Sequence, residues 1–173
     1  MLTAFRTGLR EIAKFVDSPK ENLIAVNDNG EVVFKKTGDE TCVSIDGMET
    51  EMIKDAHLFH NHPPLPKNGR MLISAWLSEG DIRSLFYYKN KSITSIAKYN
   101  EKTIATTMCI NGTPQLFFGL SSTTPDVPLG FTEAYSNEAI VDVMNNHWTI
   151  FSKRYDLQYR QYVLKTLING GER

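Results

Sequence analysis

Cysteine is scarce in this chain, with two in 173 residues, Cys42 and Cys109. They stand far outside the close pairing of a redox motif or a cysteine-rich zinc site, and two do not make a disulfide framework. Both lie in apolar, strand-like runs (TCVSI and TMCIN), which predicts small buried hydrophobes in a reducing, cytoplasmic compartment. Neither sign of charge is in excess: 19 Lys and Arg stand against 20 Asp and Glu, for a net charge of −1. A nucleic-acid or membrane-surface binder usually shows a basic footprint, so neither partner is expected. No apolar run approaches the roughly 18 residues that cross a bilayer. The opening MLTAFRTGLREIAKF carries charges every few residues and has no apolar core of the kind a signal peptide needs. Internal repeats and low-complexity segments are also missing.

What is present is ordinary in bulk and unusual in one place. Hydrophobic residues make up 41% and charged residues 23%, which suits one globular domain with a real core. Histidines number four, and His57, His60 and His62 fall close together in the stretch DAHLFHNHPPLPKNGRMLISAWLSEGDIRSL, residues 55–85. A strand has a period of two, so Ala56, Leu58, His60 and His62 share one face while His57, Phe59 and Asn61 share the other. Pro63 and Pro64 have no N–H to give a ladder, which ends the strand just after His62. Further on, Ser78-Glu79-Gly80-Asp81 leads into the helix-like IRSLFYY. Two imidazoles and one carboxylate, with a fourth position open to water, are the usual make-up of a catalytic zinc site. Ser-x-x-Asp also reads as an ordinary capping box, a serine capping a helix with an acid in its first turn.

The ordered set His-x-His-Pro then Ser-x-x-Asp resembles the JAMM motif of the JAB/MPN metallohydrolases. The spelling HNHP followed by SEGDI is most similar to the bacterial and phage branch that includes the RadC-type proteins. The resemblance covers residues 21–110 and implies a Zn2+ site made by His60, His62 and Asp81, with Ser78 helping to stabilise an oxyanion. It also implies a general-base glutamate on an early strand, where Glu21 and Glu31 are the two candidates; position in the family pattern favours Glu21. The implied fold is α+β, a cytidine-deaminase-like sandwich with a central mixed sheet flanked by helices. The implied reaction is hydrolysis of a peptide or isopeptide bond by a metal-activated water, on a protein or peptide substrate that adds as an extended strand. The chain departs from the family in the gap between His62 and Ser78, where residues 63–77 make a longer insertion. Its Met71-Leu72-Ile73-Ser74-Ala75-Trp76-Leu77 is too apolar for a flexible linker and must pack on the core or across the site. Trp76 is accordingly read either as a substrate-holding residue or as the loop's anchor.

The rest of the chain supplies the frame. Leu2, Phe5, Leu9, Ile12, Ala13 and Val16 recur at helical spacing, and Asp17-Ser18-Pro19 ends that helix. Residues 21–26 and 31–36 flank Asn27-Asp28-Asn29-Gly30, a strong hairpin signal. Residues 41–45 read as a third strand, and residues 47–55 as a short helix with Met48, Met52 and Ile53 turned inward. Residues 93–99 and 103–110 form a second hairpin, followed by a turn into 115–120 and an aperiodic loop at 121–132. From Ser136 the pattern is helical almost to the end, with Ile140, Met144, Trp148, Phe151, Tyr155, Tyr159 and Tyr162 near one stripe. An unbroken helix of about thirty residues would be roughly 45 Å long. It must therefore break, near Asp156, or lay its aromatic end on a partner, which makes a homodimer through the C-terminal helix one expectation. His147 reads as a surface or hydrogen-bonded residue. The layout is thus a JAB/MPN-like domain at 1–135 and a helical extension at 136–173 packed on it. A second class of reading remains open, a catalytically inactive JAB-like binding or accessory protein of a phage or other mobile element. A nuclease is disfavoured, because the HNH letters at 60–62 are contiguous and the charge is near neutral.

Overall fold

The computed structural model describes residues 2–63, 65–67, 70–72, 77–99, 102–110, 137–154 and 156–164. Helix α1 (Leu2–Ile12) runs into a 3-10 turn at Ala13–Phe15. The hairpin β1 (Asn22–Val26) and β2 (Val32–Thr37) follows, then α2 (Gly47–Ile53) and β3 (His57–Asn61). The insertion forms a separate two-stranded hairpin, β4 (Leu65–Lys67) and β5 (Arg70–Leu72). Next come α3 (Glu79–Tyr87), β6 (Ser92–Tyr99) and β7 (Lys102–Ile110), and finally α4 (Asn137–Arg154) and β8 (Leu157–Leu164). The main sheet has six strands in the order β2-β1-β3-β6-β7-β8. Only β3 and β6 are parallel; every other neighbouring pair is antiparallel.

Alternation along the strands sorts two cores, one on each face. Leu23, Ala25, Leu58, Ile93, Met108 and Leu157 pack against Ile53 of α2, Ile82 and Leu85 of α3, and Trp148 and Phe151 of α4. On the reverse face Ile24, Val26, Phe59, Ile96 and Ala105 pack against Ala4, Leu9 and Ile12 of α1. The result is a mixed sheet between helical layers, the α+β class that the resemblance implies. β3 is central, and all five of its residues are buried. A side chain leaving its C-terminal end therefore starts from a strand buried along its whole length and paired on both sides.

Four expectations need correction. Residues 41–45 are not a strand: the Asp39 carboxylate accepts from the Thr41 and Cys42 N–H groups at 2.7 and 2.9 Å and from the Thr41 hydroxyl at 3.0 Å. Those local bonds offer the backbone an alternative to a ladder, and Val43 and Ile45 still pack on the core. Met48 and Met52 point outward, 83% and 54% exposed, and only Ile53 of α2 is buried. Cys42 is exposed rather than buried, while Cys109 is half-buried.

The fourth concerns the C-terminal region, which is not helical to its end. The helix stops at Arg154, Asp156 adopts φ 53° in the left-handed region, and Leu157–Leu164 joins the sheet beside β7. The aromatic stripe is divided accordingly. Trp148 and Phe151 enter the core, Tyr159 donates its hydroxyl to Asn145 Oδ1 at 2.6 Å, and Tyr162 packs on Phe5 from the other face. Among the described residues no helix is long and apolar enough to cross a membrane. The readings at 111–136, at Trp76 and at the His147 side chain lie outside the described residues.

Candidate metal centre

β3 delivers His60 and then His62 to the face covered by α3. Pairing continues one step past the strand, since the His62 N–H donates to the Ile96 carbonyl at 2.9 Å. His62 thus keeps its alternation with His60 before Pro63 turns the chain away. His57 faces the other side, where Nδ1 meets the Ser92 hydroxyl at 2.8 Å and Nε2 meets Asp28 Oδ1 at 3.1 Å. The period-two reading of this strand therefore holds at every histidine.

α3 delivers the carboxylate. Ser78 is its N-cap and Asp81 its third residue, and the two form a reciprocal capping box. The Asp81 N–H donates to Ser78 Oγ at 3.1 Å, while the Ser78 N–H and hydroxyl donate to Asp81 Oδ2 at 2.6 and 2.8 Å. The cap folds the Asp81 side chain back over the helix N-terminus, where the helix dipole also favours an anion. There it meets the imidazoles: Oδ1 is 3.0 Å from His60 Nε2 and Oδ2 is 3.4 Å from His62 Nε2. The two Nε2 atoms are 2.8 Å apart. Capping and convergence on the histidines are thus the same arrangement, not competing ones.

Does this donor set fit a metal ion? Bonds of about 2.0–2.1 Å in a tetrahedron put ligand atoms about 3.3 Å from one another. The two Nε2 atoms are 2.8 Å apart, and each meets a different oxygen of Asp81, at 3.0 and 3.4 Å; one ligand atom from each residue lies within 4.8 Å of the others, a spacing that one ion can bridge. The site is also secluded, with His60 1% exposed and the Asp81 side chain 12% exposed. Burial by itself would push the Asp81 carboxyl up. The charge and hydrogen bond of His60, then those of His62, outweigh it and hold the group well below the ordinary carboxylate range. A carboxylate that stays ionised and two imidazoles aimed at one point suit a borderline cation such as Zn2+. Among the described residues, His60, His62 and Asp81 form the one such ligand group.

The antiparallel register puts the two glutamates at opposite ends of β1. β1 pairs with β3 with Leu23 opposite His60 and Val26 opposite His57. Continuing that register past the strand's end puts Glu21 opposite His62, on the face that carries the cluster. Its backbone is tied down on the β2 side, where its N–H donates to the Asp39 carbonyl at 2.7 Å and its carbonyl accepts from Gly38 at 2.8 Å. Burial raises the pKa of the Glu21 carboxyl, and His60 and His62 pull it back while Asp81 pushes it further up. The side chain therefore senses all three members of the cluster. Glu31 sits at the opposite end of β1, in the turn, where its carboxylate accepts from the Asn27 amide at 2.8 Å. It is not brought to the cluster. Asn61, which the sequence marks only as facing away, is fully buried and bonded to the chain on both sides of Glu21.

No family model, no curated protein and no solved structure matches this chain. Its functional reading accordingly rests on this cluster.

Proposed function

We propose that the chain is a zinc-dependent hydrolase of the JAMM type that cleaves a peptide or isopeptide bond, built on a JAB/MPN-like domain. One observation carries the proposal: His60, His62 and Asp81 converge at metal-ligand spacing, with Glu21 on the same face. His60 and His62 offer Nε2 and Asp81 offers a carboxylate oxygen, three of the four positions of a catalytic site. Zinc, when bound, supplies Lewis-acid polarisation of the scissile carbonyl and makes a water easier to deprotonate. Glu21 is the general base: its carboxylate takes the proton of the attacking water and returns it to the leaving amine. The water oxygen ends on the carbonyl carbon as the C–N bond breaks. The raised pKa of Glu21 suits both halves of that transfer, because a base nearer neutrality also gives its proton back readily. An extended protein or peptide chain is the substrate class, seated by strand-like pairing.

Ser78 supports a second reading. Its single hydroxyl proton goes to Asp81 Oδ2. In that arrangement it positions the carboxylate and has no proton left for an oxyanion, which suits a metal-stabilised binding or accessory protein. Two measurements separate the readings. Zinc content of the purified protein should be near one ion per chain and vanish in His60→Ala and Asp81→Ala. Internally quenched peptides and an isopeptide-linked lysine peptide should be cleaved by the parent and spared by Glu21→Gln. Zinc without any cleavage favours the accessory protein, and retained zinc in both ligand variants removes the site.

A further inference from the structure

Asn61 stands between the two histidines and contributes nothing to their face. Its side chain is 0% exposed, and both the oxygen and the nitrogen of its amide are bonded. Oδ1 accepts from the Asn22 N–H at 2.8 Å and from Asn22 Nδ2 at 3.1 Å, and Nδ2 donates to the Lys20 carbonyl at 3.1 Å. Those partners are the peptide groups on either side of Glu21. The regular β1–β3 ladder ends at the Leu23–His60 pair. From there the Asn61 amide takes the place of the backbone groups that another rung would supply.

The bonds around it lock the same short segment. Asn22 Nδ2 donates to the Lys20 carbonyl at 2.9 Å and to the Ser18 hydroxyl at 3.1 Å, and Asn22 Oδ1 accepts from the Thr37 hydroxyl at 2.8 Å. Glu21 itself is held from the β2 side by Asp39 and Gly38. Its peptide is thereby bracketed from both neighbouring strands, yet it lies outside both ladders. We infer that Asn61 is the positioning residue for Glu21: it fixes the base to the strand that carries the metal ligands, so that base and ligands keep one spacing. This deepens the hydrolase reading and rests on it for the meaning of Glu21. A supporting amide is needed because a catalytic group must be held to within about 0.5 Å of its productive place. Segment 17–21 has no strand of its own to do it.

The test uses the whole chain, Co2+ as the probe, and two variants, Asn61→Leu and Asn61→Asp, followed by NMR. Without metal, Asn61→Leu should speed amide exchange at Asn22 by about tenfold, the scale of one lost hydrogen bond, while Leu23 moves far less. General loosening would accelerate both amides alike and would overturn the inference. With Co2+ added, both variants should still bind the ion, and the paramagnetic shift of the Glu21 signals should change in each. Asn61→Asp keeps the acceptor for Asn22 and loses the donor to Lys20. Its Asn22 amide should therefore stay protected while Glu21 moves, a result available even if Asn61→Leu does not fold. Unchanged Glu21 shifts in the variants overturn the positioning role. A parent chain that takes up no Co2+ removes the metal reading instead, and the exchange comparison still decides whether Asn61 holds this segment.

Discussion

Oδ1 of Asp81 stands 3.0 Å from Nε2 of His60, so a carboxylate at the head of α3 meets an imidazole at the end of β3. The same carboxylate also caps its own helix, which makes two substitutions informative in different ways. Asp81→Ala should lose zinc and also destabilise the metal-free protein by about 1 kcal/mol through the missing cap. Asp81→Asn retains an oxygen for the Ser78 N–H and should lose zinc with most of that stability kept. Metal analysis together with urea denaturation measures both. Equal stability losses in the two variants would mean that the cap is not what aims this side chain.

Glu21→Gln should retain the ion and abolish hydrolysis, whereas Glu31→Gln, whose carboxylate only receives the Asn27 amide, should change neither. A pH dependence accompanies it. Burial raises the Glu21 pKa above its ordinary 4.5, so the folded state favours the protonated acid. That contribution is complete below the unfolded value and lost as pH rises through the folded one. At neutral pH the ionised carboxylate therefore costs stability. Metal-free Glu21→Gln should melt higher than the parent at pH 7.5, and the difference should close below pH 4.5. A melting curve that is lower for the variant at every pH would contradict it.

His57 makes the opposite kind of titration. It is 4% exposed, and burial lowers its pKa below 6.5 in spite of the hydrogen bond and charge of Asp28, with Lys91 adding to the lowering. The folded state thus prefers the neutral ring. That preference stabilises the fold above the unfolded value and is lost as pH falls beneath it. Asp28, held low by Lys91 and then His57, contributes its own loss only in the range below 3.8. Between pH 7.5 and 5.5 the parent should therefore lose more stability than His57→Gln. Parallel declines in the two proteins would show that His57 is not the group responsible.

The face of the sheet that carries the site was legible because it depends on local parity. Alternation from Ala56 to His62 needs no knowledge of neighbours, and Ser78 and Asp81 lie within one turn of each other. Which glutamate lies beside the histidines was not legible in the same way. It depends on β1 running antiparallel to β3 with Leu23 opposite His60, a pairing between distant segments that neither segment encodes alone. The C-terminal region misled for another reason. Leu157, Tyr159 and Gln161 fit a period of two as well as Tyr155, Tyr159 and Tyr162 fit a helix. The deciding event is a left-handed backbone at Asp156, among the few residue types besides glycine that adopt it; the helix length alone calls for a break there, but not for the strand that follows. Asn61 was missed because an asparagine pointing away from a site looks idle until its two backbone partners are known.

The last prediction concerns the support behind the histidines. α1 crosses β3 at Gly8, and a Cβ built on Gly8 would overlap the ring of Phe59, which is 0% exposed and adjacent to His60 in the chain. Glycine is thus needed here for close approach rather than for its backbone freedom. Gly8→Ala gains about 1 kcal/mol of helix propensity, but overpacking of a rigid core costs about 1–3 kcal/mol. The clash should win, because the ring has Phe5 at a centroid distance of 6.0 Å on its α1 side and the sheet behind it. A net loss of up to about 2 kcal/mol should lower the melting temperature by a few degrees in a chain of this size. Zinc stoichiometry should hold, since the overlap lies on the face opposite His60 and His62. A Gly8→Ala protein as stable as the parent would mean that α1 can lift from the sheet without strain, and the firmness assigned to β3 would have to come from β1 and β6 alone.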